Sequence, residues 1–333
     1  MLMRSPQAAD TRREGARPLR LPSAPEIAEF RAKGFVKLEG FLNAREVAGL
    51  RKAMDEALFG FARSPNAFDV TAAGDLLWRE GGARTDPVPA FLKDIADAVH
   101  RAKLPRLRER ARPFRARGKF LIDTSIWRRN KRLAGFALDG PLGAACAALL
   151  GAGRIRFFDD QFFIKQAGAL DRAAFHQDLS YCHLDGALGC AVWIPLDRVR
   201  RGSGAVGYVP GSHRWPGLYN PNILAGTLAL PGSEGPDLPR IESDPEAFGV
   251  VYMDADPGDV VIHHFLTVHG SEGNTSLNAR RAFSLRYCDA TIRYRRRAGA
   301  PDQPLHRADA RDGEPLDGAI HPIVFRRSSR ART

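Results

Sequence analysis

The chain has 333 residues, 44% hydrophobic and 26% charged, with a net charge of +12, which is an ordinary globular composition long enough to bury a substantial core. No run approaches the roughly 18 uninterrupted apolar residues of a membrane span, and the opening "MLMRSPQAADTRREGARPLRLP" lacks the apolar stretch of a secretory signal. The basic excess favours anionic partners, but no RNA-binding signature or basic helix with interleaved aromatics accompanies it, so no nucleic-acid partner is expected.

Residues 1–22 read as a flexible basic tail, and 23–333 as a single domain. From Pro25 the text turns helical, with Ile27 and Phe30 three apart and a break at Gly34. "FVKLEGFL" alternates like a short strand. Asn43 and Glu46 then form a capping-box pair ahead of Val47, Leu50, Met54, Leu58 and Phe61 at helical spacing. Residues 62–86 are irregular and rich in Gly, Arg and Asp, a candidate lid. Further helices are expected at 88–102 and 142–150.

From Arg154 the pattern changes to short alternating or apolar runs: "RIRFFDDQFFIKQ", "GCAVWIPLD", "AVGYVPG", "FGVVYMD", "GDVVIHHFL" and "RAFSLRYCD". Gly, Pro, Asn and Asp punctuate them, as antiparallel strands joined by turns require. The expected architecture is mainly β: a double-stranded β-helix, a jelly-roll or cupin-like barrel over 154–295, buttressed by helices within 23–150. The Pro- and Gly-rich 216–246 is a long insertion between strands. Cys146, Cys182, Cys190 and Cys288 lack CxxC spacing and fit reduced thiols in a cytoplasmic protein.

"AFHQDLSY" at 174–181 sets His176 and Asp178 two apart, so in a strand both point to one face. A carboxylate facing a core is costly unless paired or bound to a cation. Two imidazoles and a carboxylate on one face make the triad of mononuclear iron(II) oxygenases. Downstream, "PGDVVIHHFLTVHGSEGNTSLNARRAFSLRY" offers His263, His264 and His269 as the third ligand. His269 sits at a strand end beside glycine, and of His263 and His264 only one can face inward. An oxygenase using a 2-oxo acid also needs a cation for the distal carboxylate, which a guanidinium grips through two hydrogen bonds. Arg280 follows His269 by eleven residues, at the start of the next strand, expected to run antiparallel to that of His269; Arg281 is its alternative, and Ser271 could add a hydroxyl.

These segments together resemble the phytanoyl-CoA dioxygenase family of Fe(II)/2-oxoglutarate oxygenases. The likeness runs from "FRAKGFVKLEGFLNAREVAGLRKAMDEAL" through "FFIKQ", "FHQDLSY" and "CAVWIPLDRVRRGSGAVGYVPGSHRW" to the HGS segment, over about residues 26–295; 62–86 and 216–246 match poorly. The resemblance implies iron on His176, Asp178 and His269, with Arg280 and Ser271 holding 2-oxoglutarate. It places Trp193 near the co-substrate, and Gln161, Phe163 and Lys165 on one strand face whose equivalents contact co-substrate or substrate. Tyr181 and His183, on the loop after HxD, are candidates for touching substrate. The implied reaction consumes O2 and 2-oxoglutarate, releases succinate and CO2, and oxidises a C–H bond of a small, anionic organic substrate. Asp178 disfavours halogenation, since related halogenases replace this carboxylate with a small residue. Two other readings stay open: a cupin-like metal enzyme without 2-oxoglutarate, and a non-catalytic metal-binding barrel. Oligomeric state is not legible.

Overall fold

The structure is a computed structural model that describes residues 20–71, 118–222, 224, 226, 229–302 and 310–327. The helix expected at 88–102 and the 72–86 part of the candidate lid lie outside the described residues.

Helix α1 (Ala24–Lys33) starts at Ser23, whose side chain accepts from the Glu26 N–H while Glu26 reaches back to the Ser23 N–H. It ends at Gly34 with φ 86°, a left-handed cap that glycine adopts without penalty. A β-carbon there would stand 2.4 Å from His213 Nδ1 and 2.5 Å from Thr267 Oγ1. Strand β1 (Phe35–Leu38) follows, then α2 (Ala44–Phe59), opened by the Asn43/Glu46 capping box and burying Val47, Leu50 and Met54. The start of the candidate lid carries a 3-10 turn at Phe61–Arg63 and β2 (Phe68–Asp69). Next come β3 (Phe120–Thr124), α3 (Lys131–Asp139) and α4 (Leu142–Leu150). By length and composition alone, Lys131–Leu150 could cross a membrane. The run is broken at Gly140–Pro141, and Leu133, Leu142, Cys146 and Leu149 pack in the main core.

The remaining strands are β4 (Arg154–Lys165), β5 (Ala173–His176), β6 (Leu184–Asp185), β7 (Gly189–Pro195), β8 (Val206–Tyr208), β9 (Val251–Tyr252), β10 (Val260–His264), β11 (His269–Ser271), β12 (Arg280–Asp289), β13 (Arg293–Tyr294) and β14 (Ile323–Arg326). With β1 to β3 they form an eight-stranded antiparallel sheet, β1-β10-β7-β12-β4-β3-β2 with β14 beside β4, a four-stranded sheet, β5-β11-β8-β9, and a two-stranded one, β13-β6. One face of the large sheet packs on the helices, where Val36, Val192, Ile262, Phe283 and Leu285 meet Leu50, Leu133 and Leu142. Its other face meets the small sheet through Phe35, Trp193, Val261 and Ala282 against Val206 and Tyr208. Period-two alternation along each strand divides side chains between these two cores. This is the layered double-stranded β-helix expected, with two facing sheets that do not close into one ring among the described residues.

Strand β12 does not pair with β11 but lies in the large sheet between β4 and β7, in register Arg280↔Lys165 and Ser284↔Trp193. Arg280 therefore approaches the His269 strand from the facing sheet.

Candidate metal centre

Strands β5 and β11 are antiparallel, and their register places His176 directly opposite His269. The two rings lie 4.3 Å apart, centroid to centroid. Asp178 is not in the strand, as its spacing had implied: β5 stops at His176, Gln177 is still extended, and Asp178 opens a 3-10 turn, Asp178–Tyr181. That turn is pinned by Leu179 N–H to the Phe265 carbonyl, 3.1 Å, and by the Gln177 amide to the Leu266 carbonyl, 3.0 Å. Extended backbone through Gln177 keeps the two-residue same-face relation. One ligand atom each from His176, Asp178 and His269 lies within 4.8 Å of the others.

The donor set suits a divalent transition ion. His176 Nδ1 lies 2.7 Å from the Ala174 carbonyl and His269 Nδ1 3.0 Å from the Thr267 carbonyl. A carbonyl only accepts, so both Nδ1 atoms carry the proton and each Nε2 keeps its lone pair for a metal. Burial pushes the pKa of His176 down, and burial with the neighbouring His263 and His176 pushes that of His269 well down, so both rings are neutral ligands. Burial would raise the Asp178 carboxyl, but Arg286 and a hydrogen bond from His263 outweigh it and hold it well below the usual range. Arg286 Nη2 donates to Asp178 Oδ1 at 3.2 Å, and His263 Nε2 to Oδ2 at 3.1 Å. In its neutral form His263 then accepts at Nδ1 from the Tyr208 hydroxyl, 3.3 Å away.

A second cluster holds positive charge at the start of β12. Arg280 is 2% exposed, donates from Nη2 to the Gly204 carbonyl at 2.9 Å and leaves Nε buried without a partner among the described residues. Its guanidinium carbon stands 5.8 Å from the Trp193 ring. Lys165, opposite it across β4, is fully buried and donates to Ser271 Oγ at 2.9 Å and to the Glu272 carbonyl. Burial and then Arg280 push the Lys165 pKa well down, and burial pushes that of Arg280 down to about 10. A buried amine beside a buried guanidinium is costly to charge until an anion joins them. Arg281 points away and pairs with Asp197 at 2.8 Å.

The triad and Arg280 line one cavity of about 430 Å³. Trp193, Gln161, Phe163, Tyr181, Ser271 and Arg280 all line it, and the 216–246 insertion contributes Asn222, Leu224 and Leu230. Tyr181 donates to Asn222 Oδ1 at 2.8 Å and so ties the turn after the triad to that insertion. Lys165 reaches the cavity through Ser271 rather than lining it. His183 lies outside the cavity lining, with Nδ1 accepting from the Arg297 N–H at 3.1 Å and Nε2 3.5 Å from Asp302, which does line it. The turn after Asp178 carries it behind the wall.

Sequence reasoning left Arg286, Tyr208 and Asn222 without a role and His263 undecided. Alternation could have found Arg286, because Arg280, Ser284 and Arg286 share one face of β12 and all line the cavity. Nothing in the sequence points Tyr208 toward His263.

The family model of phytanoyl-CoA dioxygenase (PhyH) matches residues 30–282. A phytanoyl-CoA dioxygenase of Arabidopsis thaliana is 24% identical over 271 residues, 77% of this chain and 85% of that protein. A probable phytanoyl-CoA dioxygenase of Caenorhabditis elegans is 27% identical over 136 residues, 40% of this chain and 42% of the worm protein's own length. Among solved structures, the epimerase SnoN in complex with Fe3+, alpha ketoglutarate and nogalamycin RO superposes with a TM-score of 0.63 at 21% identity, covering 90% of this chain and 98% of that one.

Proposed function

This chain belongs to the phytanoyl-CoA dioxygenase family, and from that premise we propose that it is an Fe(II)/2-oxoglutarate-dependent oxygenase that hydroxylates a C–H bond of a small, anionic substrate. The observation that carries the reading is the convergence of His176, Asp178 and His269 in one cavity with a buried Arg280 whose Nε lacks a partner among the described residues. Iron(II) would take His176 Nε2, His269 Nε2 and an Asp178 oxygen, and 2-oxoglutarate would place its distal carboxylate on Arg280 with Ser271, Lys165 and Trp193 around it. When bound, the metal and the 2-oxo acid together activate O2 and supply the oxidising power, ending in succinate and CO2.

The residues of this chain supply the rest. Arg286 and His263 hold Asp178 ionised and aimed, while the backbone carbonyls of Ala174 and Thr267 hold each imidazole in its ligating tautomer. Phe68, Ile122, Phe163, Leu224 and Leu230 exclude water around the reacting bond. Arg280 and Lys165 favour a metal enzyme that uses 2-oxoglutarate over one that does not, because only the co-substrate gives them a counter-charge. The name of the epimerase neighbour supports a frame open to oxidations other than hydroxylation. Four buried free cysteines support a reducing, cytoplasmic setting.

Anaerobic titration with iron(II) and 2-oxoglutarate tests the reading. A visible metal-to-ligand charge-transfer band that needs both components is expected. A band absent from the intact protein and from its complex with added 2-oxoglutarate would overturn it.

A further inference from the structure

The buried cation that the oxygenase chemistry leaves unused toward a ligand is Arg286. It lies on the β12 face that carries Arg280, six residues earlier, about 20 Å along the strand at roughly 3.3 Å per residue. One 2-oxo acid cannot be gripped by both. The Arg286 side chain is 11% exposed and lines the cavity. All its hydrogen bonds among the described residues leave from Nη2, to Asp178 Oδ1 at 3.2 Å and to Gln161 Oε1 at 2.7 Å. A guanidinium carries donors on Nε and Nη1 as well, and these have no partner among the described residues. Because Arg286 can only donate, Gln161 must present its oxygen, which leaves the Gln161 amide nitrogen as a further donor in the same place.

These donors share the cavity with the apolar side chains of Phe68, Ile122, Phe163, Leu224 and Leu230, with the polar ones of Asn66, Thr124 and Asn222, and with Asp302, which pairs with Arg296. The charges of the loaded site also leave room for an anion. Arg280 and a divalent metal meet the two charges of the 2-oxoglutarate dianion, Arg286 balances Asp178, Arg296 balances Asp302, and one positive charge is left over even with Lys165 neutral. We infer that Arg286 and Gln161 form the docking point for a carboxylate on an otherwise apolar substrate, beside the triad and opposite the co-substrate end of the cavity. The assignment rests on the oxygenase reading of this site and adds to it the class of substrate. A planar guanidinium with an adjacent amide matches the two oxygens of a carboxylate, whereas an alcohol satisfies fewer of these donors and an amine opposes them.

The test uses the full chain loaded anaerobically with iron(II) and 2-oxoglutarate. Octanoate and 4-phenylbutanoate are titrated against 1-octanol, 4-phenylbutanol and octylamine, each read by its perturbation of the charge-transfer band. The carboxylates should bind at least about tenfold more tightly than the matched alcohols and amine, as a charge-assisted hydrogen bond predicts. Arg286→Met and Gln161→Leu should each erase that preference, Arg286→Lys should restore part of it, and the band itself should persist in Gln161→Leu. Carboxylates binding no better than alcohols, or a preference that survives both variants, overturns the docking point while leaving the oxygenase intact. A band that never forms in the unaltered protein overturns the oxygenase reading and this assignment with it.

Discussion

His176 and His269 are cross-strand partners in the small sheet, with ring centroids 4.3 Å apart. Their approach is set by backbone register, so neither ring depends on a loop to find the other. Iron(II) at about a hundred times its dissociation constant should stabilise the protein by about 2.7 kcal/mol. His269→Ala and Asp178→Ala should each abolish that gain in anaerobic thermal melts, and Asp178→Ala should also abolish hydroxylation. A full metal-induced shift in either variant would remove that residue from the ligand set.

Arg280→Ala should raise the 2-oxoglutarate requirement by a factor of hundreds, since losing one partner of a buried charge pair costs about 3–5 kcal/mol. Iron binding should change little. Arg281→Ala should leave the requirement unchanged, because its partner is Asp197 on the other face. The reverse ranking would show that the strand register is wrong by one. Without co-substrate, Arg280→Met should melt higher than the parent, since it removes a buried guanidinium whose Nε has no partner among the described residues.

Leu224 holds a left-handed backbone, φ 57°, on the cavity wall. A branched side chain there costs of order 1–3 kcal/mol, a strain of the kind kept at functional sites. Leu224→Gly should therefore leave stability within about 1 kcal/mol of the parent while increasing 2-oxoglutarate turnover uncoupled from substrate oxidation. Measured succinate per product that stays constant would remove Leu224 from the substrate wall.

Gly34→Ala should destabilise strongly and disturb the centre as well. The added β-carbon meets His213 and Thr267, and the Thr267 carbonyl is the partner of His269 Nδ1. The positive φ makes the substitution strained in any case. Urea melts should show a loss of more than 1 kcal/mol, accompanied by weaker metal binding; unchanged metal affinity would disconnect the helix cap from the site.

Acid should destabilise the protein through His321. It is fully buried, stacked on Phe158, and burial pushes its pKa down to about 4 from an ordinary 6.5. The unfolded chain therefore takes up a proton that the folded chain refuses between these values. Its contribution is intact above pH 6.5, is lost as pH falls toward 4 and is constant below, on the order of 3 kcal/mol in all. His321→Gln should give a shallower loss of stability over that window, and an identical slope would exclude His321 as the source.

Local chemistry in the sequence determined much of this protein. The caps at Ser23 and Asn43, the helical stripe of α2 and the alternating strands after Arg154 all follow from interactions within a few residues. Alternation allowed only one of Arg280 and Arg281 to face inward, and the family resemblance chose Arg280. The HxD and HGS spacings named the three residues that meet. What alternation cannot say is which strand lies beside which, because a period of two assigns a face and not a neighbour. Burial of two cores across long sequence separations made that choice, and it set β12 in the sheet that faces the one carrying His269. Arg286 and His263, 108 and 85 residues from Asp178, reach its two oxygens only in the folded chain. The same turn that brings Asp178 inward carries His183 out of the cavity. Residue types, local spacing and the family resemblance thus named the candidate metal ligands, while the packing of two facing sheets decided their supporting partners and the shape of the cavity beside them.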